Sequence, residues 1–86
     1  MNRRKLSLGT KNIVGRRVTE ARSKMNIKQK DLLTQLQLKG IEISIPALSL
    51  LEGQKRPVYD FELKALSEIL CVEVDWLWGK KQESFK

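Results

Sequence analysis

QKDLLTQLQLKGIEISIPALSLLEGQKRP, residues 29–57, is the stretch whose reading decides the fold. Leu32, Leu33 and Leu36 recur at helical spacing, so a helix is expected from about Gln29 to Leu38. Lys39-Gly40 ends it, with Gly40 suited to the left-handed position that follows a helix. Ile41-Glu42-Ile43 alternates apolar and polar residues but has no second strand to pair with, so it reads as loop. Ser44 is a good N-cap, and Pro46 falls in the first turn, where its missing N–H costs nothing. A third helix is expected from about Ile45 to Glu52, stopping at Gly53, and Gln54-Lys55-Arg56-Pro57 forms a basic turn after it.

Upstream, the pattern turns helical from Lys11. Val14, Val18, Ala21 and Met25 mark one apolar face, and Asn26 is the expected stop. Downstream, a fourth helix starts near Tyr59 or Asp60 and ends near Leu70. Asp60 and Glu62 favour its positive end, and Leu63, Leu66, Ile69 and Leu70 form its buried face. A short last helix covers Val74 to Trp78. These elements predict an all-α fold: a basic arm over 1–10, one domain over 11–79 and a polar tail over 80–86. A helix, a turn, a capped helix and a basic loop make the arrangement of a helix-turn-helix.

The charge is uneven. Of a formal +7, residues 1–30 hold ten Lys or Arg against Glu20 alone, a balance of +9, while residues 31–86 hold seven against nine acids, or −2. A basic face meeting a polyanion is the expectation, against a merely cationic surface. The sequence has no histidine, and Cys71 is its only cysteine, so neither a disulfide within the chain nor a multi-cysteine metal site can form. There is no Gly-rich phosphate loop and no nucleophile beside a base, so no enzymatic activity, cofactor, metal or small-molecule ligand is expected. No apolar run approaches the ~20 residues of a membrane span, and no apolar core follows the basic N-terminus, so a cytoplasmic location is the expectation.

From Val14 to Gly79 the chain resembles the lambda-repressor-like (Cro or XRE type) helix-turn-helix domains. The resemblance is carried by Met25-Asn26-Ile27-Lys28-Gln29 at the joint into helix two and by Ser44 to Glu52 at the recognition helix. Gly53-Gln54-Lys55-Arg56-Pro57 matches the basic loop, and Leu70-Cys71-Val72-Glu73-Val74-Asp75-Trp76-Leu77 the closing segment. It implies a compact five-helix domain with a structural ion pair between Arg22 and Glu52. Three departures stand out. The segment between Gln29 and Ser44 is longer than usual by about five residues, which extends the turn between helices two and three. Lys28 stands where a capping Thr is common. Cys71 stands where a Gly usually ends helix four, and a left-handed Cys there costs roughly 1 kcal/mol against Gly.

The resemblance further implies a transcriptional regulator, a repressor by preference, bound to double-stranded DNA. Phosphate contacts would come from Lys28, Gln29, Lys55, Arg56 and Arg17, with Arg16 and the arm Arg3-Arg4-Lys5 adding charge. Base-facing positions would be Ser44, Ile45, Pro46, Ala47, Ser49 and Leu50. None of these is Arg, Lys, Asn or Gln, the residues that make bidentate base contacts. Ile45, Ala47 and Leu50 suit thymine methyls, but Ile45 and Leu50 equally suit an interior or an interface. Two other readings therefore stand: a protein-interaction module of antitoxin-like or phage-regulator kind, and a nonspecific nucleic-acid binder. Homodimers are common among such domains. Leu77, Trp78 and Phe85 are the candidate dimer contacts, with Trp76 assigned to the core.

Overall fold

A computed structural model describes residues 12–79, and these are all-helical: five helices and no strand. They are α1 (Gly15–Lys24), α2 (Gln29–Leu38), α3 (Ile45–Glu52), α4 (Asp60–Leu70) and α5 (Val74–Leu77). The arm over 1–10, Lys11 and the tail over 80–86 lie outside the described residues.

Helix ends set this topology. After α1, α2, α3 and α4 the chain makes the same reversal, with a left-handed residue at Asn26 (φ 61°), Gly40 (87°), Gln54 (62°) and Cys71 (57°). Each reversal returns the orphan carbonyls of the last turn to the backbone. Ile27 N–H donates to Arg22 O, Ile41 to Leu36 O, Lys55 to Leu50 O and Val72 to Ser67 O, at 2.8–3.1 Å. Only one of the four left-handed positions is glycine. Gly53, expected to stop α3, has φ −82°, and the left-handed residue is Gln54. Cys71 carries the same strain on an exposed side chain. Cys71→Gly is expected to raise the unfolding free energy by about 1 kcal/mol, measurable as a higher denaturant midpoint with an unchanged slope.

The core joins all five helices. Val18, Ala21, Leu32, Leu36, Leu48, Leu51, Leu66, Leu70, Trp76 and Leu77 have at most 1% of their surface exposed. α3 packs on α1 and α2, and α4 packs on α1, α2 and α5. The extended turn between α2 and α3 supplies Ile41, which is buried in this core, and Ile43, which packs on its edge. The Ile41 N–H donates to Leu36 O and the Gln37 Nε2 to Ile43 O, so backbone groups of this segment find partners without a strand. On α4, Leu63 and Ile69 are only half-buried, while Ala65 and Glu62 lie inside. Met25, expected on the buried face of α1, is the C-cap and is 40% exposed, because the helix turns away before its side chain reaches the core.

α1 begins at Gly15, a turn later than its apolar periodicity predicts, with Val14 at the N-cap and Asn12 closing a turn just ahead of it. The Asn12 Oδ1 accepts the N–H groups of Gly15 (2.8 Å) and Val14 (3.2 Å). Its Nδ2 donates to Leu51 O (2.9 Å) and Arg56 O (2.8 Å), so one buried amide fastens the start of α1 to the end of α3. Gly15 allows the approach: a Cβ there would overlap Leu51 O, a backbone atom that cannot swing aside. Gly15→Ala is expected to lower the unfolding free energy by about 1–3 kcal/mol through this overlap, despite alanine's better helix propensity, and thermal melting reads the effect.

Farther from the core, Lys39 and Lys64 both reach Glu68, at 2.9 and 2.8 Å, and tie the end of α2 to α4. The hydrogen bond from Lys64, then that from Lys39, holds the Glu68 carboxyl down at about 2 from its ordinary 4.5. This contribution to stability is present above about pH 4.5 and is lost as the pH falls toward 2.

Candidate nucleic-acid interface

The start of α2 and the exposed side of α3 meet at Glu52. Arg22 grips its carboxylate with two parallel bonds, Nε to Oε2 at 2.9 Å and Nη2 to Oε1 at 3.0 Å, while its Nη1 holds Ile27 O at 2.9 Å. The Gln29 Nε2 and the Thr19 hydroxyl each lie 3.3 Å from Glu52 Oε1. The other end of the Gln29 amide accepts the Ser49 hydroxyl at 3.2 Å. Arg22 on α1, Gln29 on α2 and Glu52 on α3 thus fix the angle between the three helices. The fork suits arginine, because planar guanidinium and carboxylate match in two bonds.

Around this joint stand exposed cations. Lys28 and Lys30 flank Gln29, and Lys55 follows α3; all three are exposed and make no ion pair with another described residue. Lys28 is the N-cap of α2 but its side chain makes no capping bond. The N–H groups of Gln29 and Lys30 therefore keep their capacity to bind an anion at the positive end of the helix dipole, which Asp31 in the same turn partly offsets; the Asp31 N–H already donates to Lys28 O at 3.0 Å.

The exposed side of α3 is one continuous arc. Ile45, Pro46, Ser49, Leu50 and Gly53 are spaced i, i+1, i+4, i+5 and i+8, and all are exposed; Leu48 and Leu51 on the opposite side are fully buried. Ile45 is 38% and Leu50 46% exposed, so neither is taken up by the domain's own interior. Ser44 caps the helix, its hydroxyl accepting the Ala47 N–H at 3.3 Å, and Ala47 is half-buried beneath the arc.

Three expected site residues occupy other places. Arg56 is turned inward. Its Nε donates to Ala47 O at 3.0 Å, its Nη1 to Pro57 O at 2.6 Å, and its Nη1 and Nη2 grip Glu62 at 3.2 and 2.9 Å. Glu62 in turn accepts the Tyr59 N–H at 3.0 Å and so caps α4. A guanidinium with these partners is a strut between α3 and α4, unlike its neighbour Lys55. Arg17 lies 4.7 Å over the Trp76 ring. At 100° per residue it is about 200° around α1 from Thr19, on the flank away from Gln29. Leu77, expected at a dimer contact, is fully buried, because α5 turns it and Trp76 into the core together. Trp78 is 45% exposed, and Phe85 and Arg3-Arg4-Lys5 lie outside the described residues.

The charge asymmetry also takes a more local form. Over residues 12–79 ten basic side chains face nine acids, so the described domain is close to neutral. Most of the +7 belongs to residues 1–11 and 80–86, which carry +4 and +2. What distinguishes the domain is placement: Lys28, Lys30 and Lys55 beside the arc, with Arg22 and Arg56 already matched to carboxylates.

Among the described residues no group of three or more His, Cys, Asp or Glu side chains is placed to hold a metal ion, and no helix is long and apolar enough to cross a membrane. Comparison with protein-family models, with curated proteins and with solved structures finds no match.

Proposed function

We propose that this protein binds double-stranded DNA as a helix-turn-helix regulator of transcription, on the pattern of the lambda-repressor-like domains that its sequence resembles. In this reading α3 enters the major groove, the start of α2 abuts one phosphate backbone, and Lys55 meets the next phosphates along. One observation carries it. The Gln29 amide, bonded to both Glu52 and Ser49, sets the uncapped N-terminus of α2 against an exposed face of α3, with unpaired lysines at both ends of the joint. An anion-binding helix start beside an exposed helix is the geometry that backbone positioning and groove reading need together.

Phosphate contacts fall to Lys28, Lys30, Lys55 and the first N–H groups of α2, with Gln29 orienting that helix start. Arg56 and Arg17 support the fold beneath. Base contacts fall to the arc of Ile45, Pro46, Ser49 and Leu50, with Ser44 at its edge. A symmetric dimer would use Trp78, beside Ile13 on the same shallow recess.

Enrichment of bound duplexes from a random-sequence pool tests the regulator reading. A recurring motif is the expected result. Retention of duplexes with no motif would leave a nonspecific binder, and no retention at low salt would remove DNA from the account.

A further inference from the structure

We infer that the α3 arc reads thymine methyl groups, so that the DNA selected by this protein is rich in A·T pairs whose C5-methyls face Ile45, Pro46 and Leu50. The inference rests on the DNA-binding reading above and adds the base chemistry.

The arc has few polar groups to spare. The Ser49 hydroxyl donates to Gln29 Oε1, the Ser44 hydroxyl accepts the Ala47 N–H, and the Gln29 amide nitrogen is turned to Glu52. No Arg, Lys, Asn or Gln stands on the arc, so the forked contacts that recognise guanine and adenine have no donor here. What α3 offers instead is apolar surface kept in water, with Ile45 38% and Leu50 46% exposed. In the major groove the apolar feature on a base edge is the C5-methyl of thymine. Desolvating a methyl against a branched side chain is favourable, and cytosine, which lacks the methyl, gains nothing there.

The rim favours DNA over an apolar protein partner. Lys28 and Lys30 stand at the α2 end of the joint and Lys55 at the α3 end, with an uncapped helix N-terminus among them. That rim matches two lines of phosphates bordering a groove, with the apolar strip between them over the base edges.

The test uses short duplexes of alternating A·T, alternating A·U, alternating G·C and alternating G·5-methylcytosine, with the full chain and fluorescence anisotropy at low salt. Uracil removes only the methyl from thymine, and 5-methylcytosine places a methyl at the equivalent position. The expected result is a loss of about fourfold per contacted methyl from A·T to A·U, and a comparable gain from G·C to G·5-methylcytosine. Leu50→Ala and Ile45→Ala, both at exposed positions and each checked by thermal melting, should bind A·T more weakly and lose the discrimination between thymine and uracil. Wild-type protein that binds all four duplexes alike overturns the inference and leaves the DNA-binding reading standing. Wild-type protein that binds none of them overturns both and returns the arc to a protein partner. Methyl sensitivity that persists in both variants overturns the assignment to this face.

Discussion

Asn12→Ala is expected to lower the unfolding free energy by about 2–4 kcal/mol. The amide makes four hydrogen bonds at 2.8–3.2 Å and is 2% exposed. Truncation leaves the Leu51 and Arg56 carbonyls without their amide donor and the first N–H groups of α1 without a cap. Water entering the small space left behind recovers part of the loss. A domain of this size has about 4–13 kcal/mol in hand, so the change removes a large share of it. The midpoint of thermal unfolding should fall by about 10–25 °C. Asn12→Asp separates the two halves of the role. It keeps the cap acceptor but sets a carboxylate against two carbonyl oxygens, so it should be stabilised by acid where wild type is not. A shift of only a few tenths of a kcal/mol for Asn12→Ala would show that α1 and α3 are held together without this amide.

Arg56→Ala is expected to have an effect of similar size, and it separates two neighbouring cations. Its guanidinium and the Glu62 carboxylate are 17% and 7% exposed, so removing one leaves the other charged and largely out of water. Such a loss costs about 2–4 kcal/mol, somewhat less than for a fully buried pair because Arg56 retains some solvent contact. The same change uncaps α4, since Glu62 is no longer held against the Tyr59 N–H. Lys55→Ala, one residue away, should leave stability within about 0.5 kcal/mol of wild type. A double-mutant cycle of Arg56→Ala with Glu62→Ala should show coupling of at least about 1 kcal/mol, since the groups are in direct contact. Additive losses would mean that the two side chains act separately.

This contrast marks where the sequence can be read and where it cannot. Helices α2 and α3 follow from local signals: the Leu32–Leu36 stripe, Gly40, Ser44 and Pro46 each act on the backbone within a turn of themselves, so their effect is written beside them. Partnerships across the fold carry no such mark. Lys55 and Arg56 are adjacent cations in the same turn, and only the position of Glu62 on α4 draws one inward. Asn12 reads as the start of a helical pattern until Leu51 and Arg56 are known to lie beside it. The one clue is the residue type, since an Asn ahead of a helical run can close a turn onto the N–H groups two and three positions on. The Arg22–Glu52 contact is legible through resemblance alone, since residues 30 positions apart leave no local trace. Leu77 reads as a surface residue because a four-residue helix is too short to show which side faces in.

The candidate interface has the same division. Exposure of Ile45 and Leu50 cannot be read from an apolar helix, because interior and surface positions look alike until the packing of Leu48 and Leu51 settles the orientation of α3. Once that orientation is known, the arc lies beside the start of α2 through the Gln29–Ser49 bond, while Arg56 is engaged beneath it with Ala47 and Glu62 and Arg17 lies elsewhere, over Trp76.

The central claim is that this surface meets the DNA backbone through Lys28 and Lys55. It is tested most directly by the salt dependence of duplex binding, measured by anisotropy for wild type and for Lys28→Ala/Lys55→Ala. Wild type should bind with an affinity that falls steeply as salt rises. The double variant should melt as wild type does, bind more weakly to every duplex, and show a slope of log affinity against log salt that is shallower by about 2, one for each phosphate that a lysine no longer neutralises. An unchanged slope, or a wild-type protein that does not bind duplex DNA at low salt, would contradict the account.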